Sequence, residues 1–170
     1  MSFKKILFVI IISGLMCIKV YAEETNYIGS WRYDEGNHLE YYMKEIIFVS
    51  QFTEQEKRML IFDNFFNRCD NEVNFVPEDT ELLDVKLYDG HLELYVSEAI
   101  RDYGGGTAWE IALVEGILST AFTLDDVEDV TLYIDGKVEY LPEGTILDRY
   151  RKEDYICRKL REEVMTNYGL

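Results

Sequence analysis

Proline, cysteine and histidine are all scarce in this chain of 170 residues: two prolines, three cysteines and two histidines. So little proline, with hydrophobic residues at 48%, excludes a disordered body. The few cysteines and histidines supply neither a catalytic triad nor a metal set. Positive charge is the next shortage, with 17 Lys and Arg against 33 Asp and Glu and a formal charge of −16. Phosphate backbones and anionic headgroups repel such a surface, which excludes nucleic-acid and membrane-surface roles and suits a basic protein partner. Long apolar runs are also missing. The most apolar stretch reaches from Ile6 to Ile18 and is broken by Ser13 and Gly14, whereas a spanning helix needs about 20 apolar residues.

What that stretch does resemble is an export signal. Lys4 and Lys5 form its charged start, Ile6 to Ile12 its apolar centre, and Val20-Tyr21-Ala22 a site for cleavage before Glu23. Residues 1–22 are therefore expected to be removed, and the membrane would be met only through this segment if it stayed uncleaved. Cys17 follows Leu15 closely enough for a lipid-attachment motif, but Met16 stands where that motif takes a small residue. Removal of the segment leaves fourteen bases against thirty-three acids and a charge near −19. The remaining length suits one domain with one core. Cys69 and Cys157 remain in it; export permits a bridge between them, and two free thiols are equally open.

Residues 23–44 are rich in Tyr and Trp without a sustained period, which fits a linker or an extra edge strand laying Tyr27, Trp31 and Tyr33 on the domain. The same rings could also form a platform for sugars. Glu45 to Phe52 is nearly continuous in apolar character and predicts a strand covered on both faces or central in its sheet. Thr53 and Glu56 then form a capping box for a helix ending near Asn67, with Met59, Phe62 and Phe66 down one side and Ile61 and Phe65 beside them. Alternation of Leu83, Val85 and Leu87, the Asp89-Gly90 turn, and Leu92, Leu94 and Val96 predict a hairpin. His91 beside that turn reads as a surface residue, since no second ligand stands at metal spacing.

The triple glycine at 104–106 invites comparison with a phosphate-binding loop, yet no Lys-Ser or Lys-Thr pair follows and Glu110 would repel an anion. A long helix comes next, with Thr107 and Glu110 as a second capping box and Ile111, Val114, Ile117, Leu118 and Ala121 as its apolar stripe. Asp125, Asp126, Glu128 and Asp129 form an acidic corner that lacks the glycine and terminal glutamate of an EF-hand, and it is a candidate face for a basic partner. Val130, Leu132 and Ile134 predict a strand turning at Asp135-Gly136 into Lys137 to Leu141. Arg151 to Tyr168 predicts a helix with Ile156, Leu160 and Val164 on one side and many bases, suited to docking on its own acidic domain or to being offered to another protein. A hydrolase would need paired carboxylates in one cleft, for which Glu93 and Glu98 are the available pair.

From Glu45 to Asp148 the chain resembles the GerMN domain family of sporulation and spore germination. The resemblance rests on the opening strand IIFVSQF, the helix EQEKRMLIFDNFF, the segment VPEDTELLDVKLYDGHLELYVSEAI, the helix GGGTAWEIALVEGILSTAF and the closing VEDVTLYIDGK. The positions that carry it are Pro77 with Thr80, Ser97, Gly104 with Gly105, Thr120, and Asp135 with Gly136. It implies an α+β fold of the ring-building-motif kind: a small sheet of three or four strands backed by two helices, to which a C-terminal helix is added. The implied organisation is a signal segment at 1–22, an aromatic segment or linker at 23–44, the domain at 45–148 and an amphipathic helix at 149–170. The implied role is non-enzymatic and cofactor-free: an exported scaffold that assembles with envelope or mother cell–forespore channel proteins, or with further copies of itself. The alternative is a secreted module for cell-wall glycan.

Overall fold

The structure is a computed structural model and describes residues 23–49, 52–67, 73–104 and 106–168. The export signal, Cys69 and Gly105 lie outside the described residues. The described chain folds as β1 (Glu23–Tyr33), β2 (Leu39–Val49), α1 (Glu54–Phe66), β3 (Leu82–Tyr88), β4 (His91–Val96), α2 (Gly106–Ala121), β5 (Asp129–Ile134), β6 (Tyr150–Arg151) and α3 (Lys152–Tyr168).

β1 and β2 form a long antiparallel hairpin running from Glu23↔Val49 to Tyr33↔Leu39. Its sequence lacks a clean period because its surroundings change along its length. Ile28 and Phe48 reach the core, Trp31 packs on Tyr41 and Phe75, and Tyr33 and Leu39 project into solvent. The strand expected to begin at Glu45 is the second half of β2, so the boundary set at residues 44 and 45 falls inside a strand. That strand is not covered on both faces, for Ile47 is exposed.

The second sheet has the order β3-β4-β5-β6. β3 and β4 are antiparallel around Asp89 and Gly90, both at positive φ, as a two-residue hairpin turn requires. β4 and β5 are parallel in register from His91↔Asp129 to Val96↔Ile134, and α2 supplies the crossover between them. One side of this sheet presents Val85, Leu92, Leu94, Val96, Val130, Leu132 and Ile134 to Ile61, Phe62 and Phe65 of α1 and to Leu113, Ile117 and Leu118 of α2. Each of the larger aliphatics contributes about 1.5–3 kcal/mol by leaving water, so this layer dominates stability.

Three sequence expectations change here. A bulge between Leu82 and Asp84 turns Leu83 outward, and Leu82 packs against the core in its place. Ile111, counted in the apolar stripe of α2, is 57% exposed. After a single bridge from Ile134 to Lys137 the chain forms no strand to Leu141; the fourth strand is Tyr150–Arg151, at the place where the last helix was expected to begin.

α1 starts as expected: the Glu56 amide donates to Thr53 Oγ1 at 3.2 Å, and the Thr53 amide donates to the Glu56 carboxylate at 2.7 Å. Hydroxyls fasten α2 to the hairpin. Thr120 Oγ1 donates to the Gly116 carbonyl at 2.7 Å and accepts from the Gly29 amide at 3.0 Å, while Thr123 Oγ1 reaches the Tyr27 carbonyl at 3.1 Å. At Gly29 the strand comes so near the helix that a Cβ would collide with Ser119 Oγ and sit 3.2 Å from the Gly116 carbonyl. Gly29→Ala is expected to destabilise the protein by about 1–3 kcal/mol through overpacking. An unchanged melting temperature would show that the hairpin does not press on α2 this closely.

Candidate functional site

Two buried glutamates of α2, Glu110, read from the sequence as half of a capping box, and Glu115, which carries no sequence signal, tie other segments to the helix. Glu110 is only 1% exposed, and its carboxylate accepts from the amides of Glu143 at 2.7 Å and Thr145 at 2.8 Å and from the Tyr103 hydroxyl. It is therefore not half of a capping box with Thr107, whose hydroxyl donates to Glu143 instead. Burial raises the Glu110 carboxyl, but the hydrogen bonds from Thr145, Tyr103 and Glu143 outweigh it and hold the pKa below the usual value. The Tyr103 phenol is pushed up, first by burial and then by its bond to Glu110.

Glu115, 5% exposed and little more than one turn further on, receives α3. The Tyr155 hydroxyl and Lys159 Nζ meet Oε1 at 2.7 Å, and Arg158 Nη2 meets Oε2 at 2.7 Å. The basic side of α3 thus docks on its own domain, and Ile156 and Leu160 of the apolar stripe read from the sequence are exposed and face away from the core, while the side chain of Val164 lies outside what is described. Cys157 is an exposed free thiol on this helix.

A groove of about 420 Å³ lies beside the start of α2. Val76 and Pro77 are buried at its floor, Tyr103 and Trp109 are half-buried at its sides, and Glu78 and Asp102 are exposed at its rim, with Asn74 and Gly104 completing it. Its rings are held in place. Trp109 Nε1 donates to the Phe75 carbonyl at 2.7 Å, Phe75 packs edge-on against both Trp109 and Trp31, and Tyr103 is tied to Glu110.

The positions singled out by resemblance serve different places. Pro77 and Gly104 line the groove. Thr80 is buried, with its amide on the Pro77 carbonyl at 3.0 Å, and Ser97 Oγ accepts from the Glu81 amide at 2.9 Å. Thr120 fastens the hairpin, and Asp135 and Gly136 take the positive φ of a turn. In the acidic corner Asp125, Asp126 and Glu128 are exposed and Asp129 is partly covered. Asp126 reaches Arg58 at 3.5 Å, and Asp129 is turned toward His91 and Arg149.

His91 departs from its reading as a surface residue. Its side chain is 13% exposed, with Nδ1 against Asp129 and Nε2 3.7 Å from Glu93. Glu93 also accepts from the hydroxyls of Tyr95 at 2.7 Å and Tyr133 at 3.4 Å, and those two rings stack at 4.6 Å. The parallel register that sets His91 opposite Asp129 could not be read from one strand alone. This cluster is a polar cover on the outer side of the sheet, and among the described residues no hydroxyl or thiol nucleophile bonds to the imidazole in it. Glu93 and Glu98 do not share a cleft: the former is held by tyrosines, the latter pairs with Arg101 at 2.9 Å. Trp31, which a sugar platform would need, donates to the Ala112 carbonyl at 3.4 Å and is packed among rings. Among the described residues no group of three or more His, Cys, Asp or Glu is placed to hold a metal, and no helix is long and apolar enough to cross a membrane.

These features define an α+β domain in which a four-stranded sheet and a separate hairpin enclose two helices, with a third helix docked outside. The chain belongs to the Germane family, described as sporulation and spore germination, which matches residues 48–140. Solved structures with the same fold include the tandem GerMN domains of the sporulation protein GerM from Bacillus subtilis, at TM-score 0.58 and 15% identity over 82% of this chain and 49% of that one. A putative lipoprotein from Clostridium perfringens matches at TM-score 0.52 and 16% identity over 79% and 89% of the two chains. The first GerMN domain of the Bacillus subtilis protein matches at 0.53 and 14% identity over 75% and 98%. This chain spans about half the length of the tandem protein. No curated protein matches the sequence. All of the β1–β2 hairpin up to Ile47, together with β6 and α3, lies outside the family match.

Proposed function

We propose that this chain is an exported, non-enzymatic interaction module that assembles with other proteins of the spore-forming cell's envelope. The observation that carries the reading is how the ionisable groups are used: His91, Glu93, Glu110, Glu115 and Asp129 are bound to one another, to tyrosines and bases, or to backbone amides. Groups committed in this way hold the fold together. Export is supported by the charged and apolar start of the sequence and by the likeness to a putative lipoprotein. Family membership supports a role in sporulation or germination.

The test is a deletion strain combined with in-cell cross-linking during sporulation. Spore yield or germination should fall, and the chain should be captured with envelope proteins. Normal spores together with no cross-linked partner would overturn the reading.

A further inference from the structure

The groove beside α2 has a chemistry that the family assignment does not explain. Two aromatic side chains, Tyr103 and Trp109, form its sides, each fixed by a hydrogen bond to an atom outside the groove. Two exposed carboxylates, Glu78 and Asp102, stand at its rim, and among the described residues neither is recorded in an ion pair. Among the described residues no basic side chain lines it; Arg101, the nearest of these in sequence, is committed to Glu98 at 2.9 Å and Glu139 at 3.0 Å. Rings held still attract a cation without an ordering cost, and flanking carboxylates add charge attraction to the same point. The chain's formal charge of −16 favours approach of the same kind of ligand.

We propose that this groove binds an arginine or lysine side chain carried on an extended basic segment of a protein partner, with the cation set against Trp109 and Tyr103 between Glu78 and Asp102. The inference rests on the reading of the chain as an interaction module. It gives that module a docking point and a partner chemistry.

The experiment is a titration of the full chain, labelled with 5-fluorotryptophan, with tetra-arginine and, as control, tetraglutamate, followed by fluorine NMR. Trp31→Phe assigns the two indole resonances. The Trp109 resonance should shift with arginine peptide and not with glutamate peptide. Glu78→Gln with Asp102→Asn should weaken binding about tenfold, while Asp125→Asn with Asp126→Asn leaves it unchanged. Both pairs are exposed, so the fold is kept. A Trp109 resonance that does not respond, or an equal loss in both double variants, overturns the groove. Partners still cross-linked in cells by the Glu78 and Asp102 double variant would sink the groove alone and leave the module reading standing. Absence of any partner for the unaltered chain would remove that reading whatever the peptide does.

Discussion

Replacing Glu110 with alanine should cost the protein about 2–3 kcal/mol, because two backbone amides and a phenol lose their acceptor at once. The amides belong to Glu143 and Thr145, so the turn after Pro142 would detach from α2, and Tyr103 would lose the bond that holds it at the groove. Glu110→Gln keeps one acceptor oxygen and should lose less. Urea denaturation of the three proteins measures the order. A loss under about 0.5 kcal/mol for the alanine variant, the size of an ordinary surface change, would mean that solvent satisfies the turn without the carboxylate.

The second large effect is expected at Glu115. Breaking a buried ion pair costs about 3–5 kcal/mol, but Arg158 and Lys159 are more than a third exposed, so solvent screening reduces the expectation for Glu115→Ala to about 2 kcal/mol. The loss should be local, with hydrogen exchange in α3 accelerating far more than in β4. Uniform exchange in both elements would contradict the docking. Acid should reveal the same group. Burial raises the Glu115 carboxyl, yet hydrogen bonds from Lys159, Tyr155 and Arg158 outweigh it and leave the folded pKa lowered. Its stabilisation is therefore complete above the unfolded value of about 4.3 and is lost as pH falls through the lower folded value. Stability measured against pH below about 4.3 should fall less steeply in Glu115→Gln than in the unaltered protein. Equal slopes would show that this carboxylate titrates alike in both states.

Local chemistry made several elements readable from the sequence. Thr53 and Glu56 announce the start of α1, Asp89-Gly90 announces the hairpin turn, and Leu92, Leu94 and Val96 alternate as they do in β4. Each signal acts within a few residues, where capping geometry and the strand period operate. The misread elements depend on what lies across from them. Ile156 and Leu160 have the spacing of a buried stripe, but the electrostatic match of Tyr155, Arg158 and Lys159 to Glu115 turns the other side of α3 inward. Glu110 has the spacing of a capping box with Thr107, but the 143–145 turn offers it two amides.

The sequence by itself determined the α+β class, the two core helices and the central hairpin, because period, caps and turn residues are short-range physics. Only the tertiary structure decided that residues 23–49 form a hairpin of their own, that Tyr150–Arg151 completes the sheet, and that Pro77, Tyr103 and Trp109 meet in one groove. Those outcomes depend on partners distant in the chain: β1 finds its edge partners on α2, and a buried carboxylate goes to whichever donors the packing brings to it.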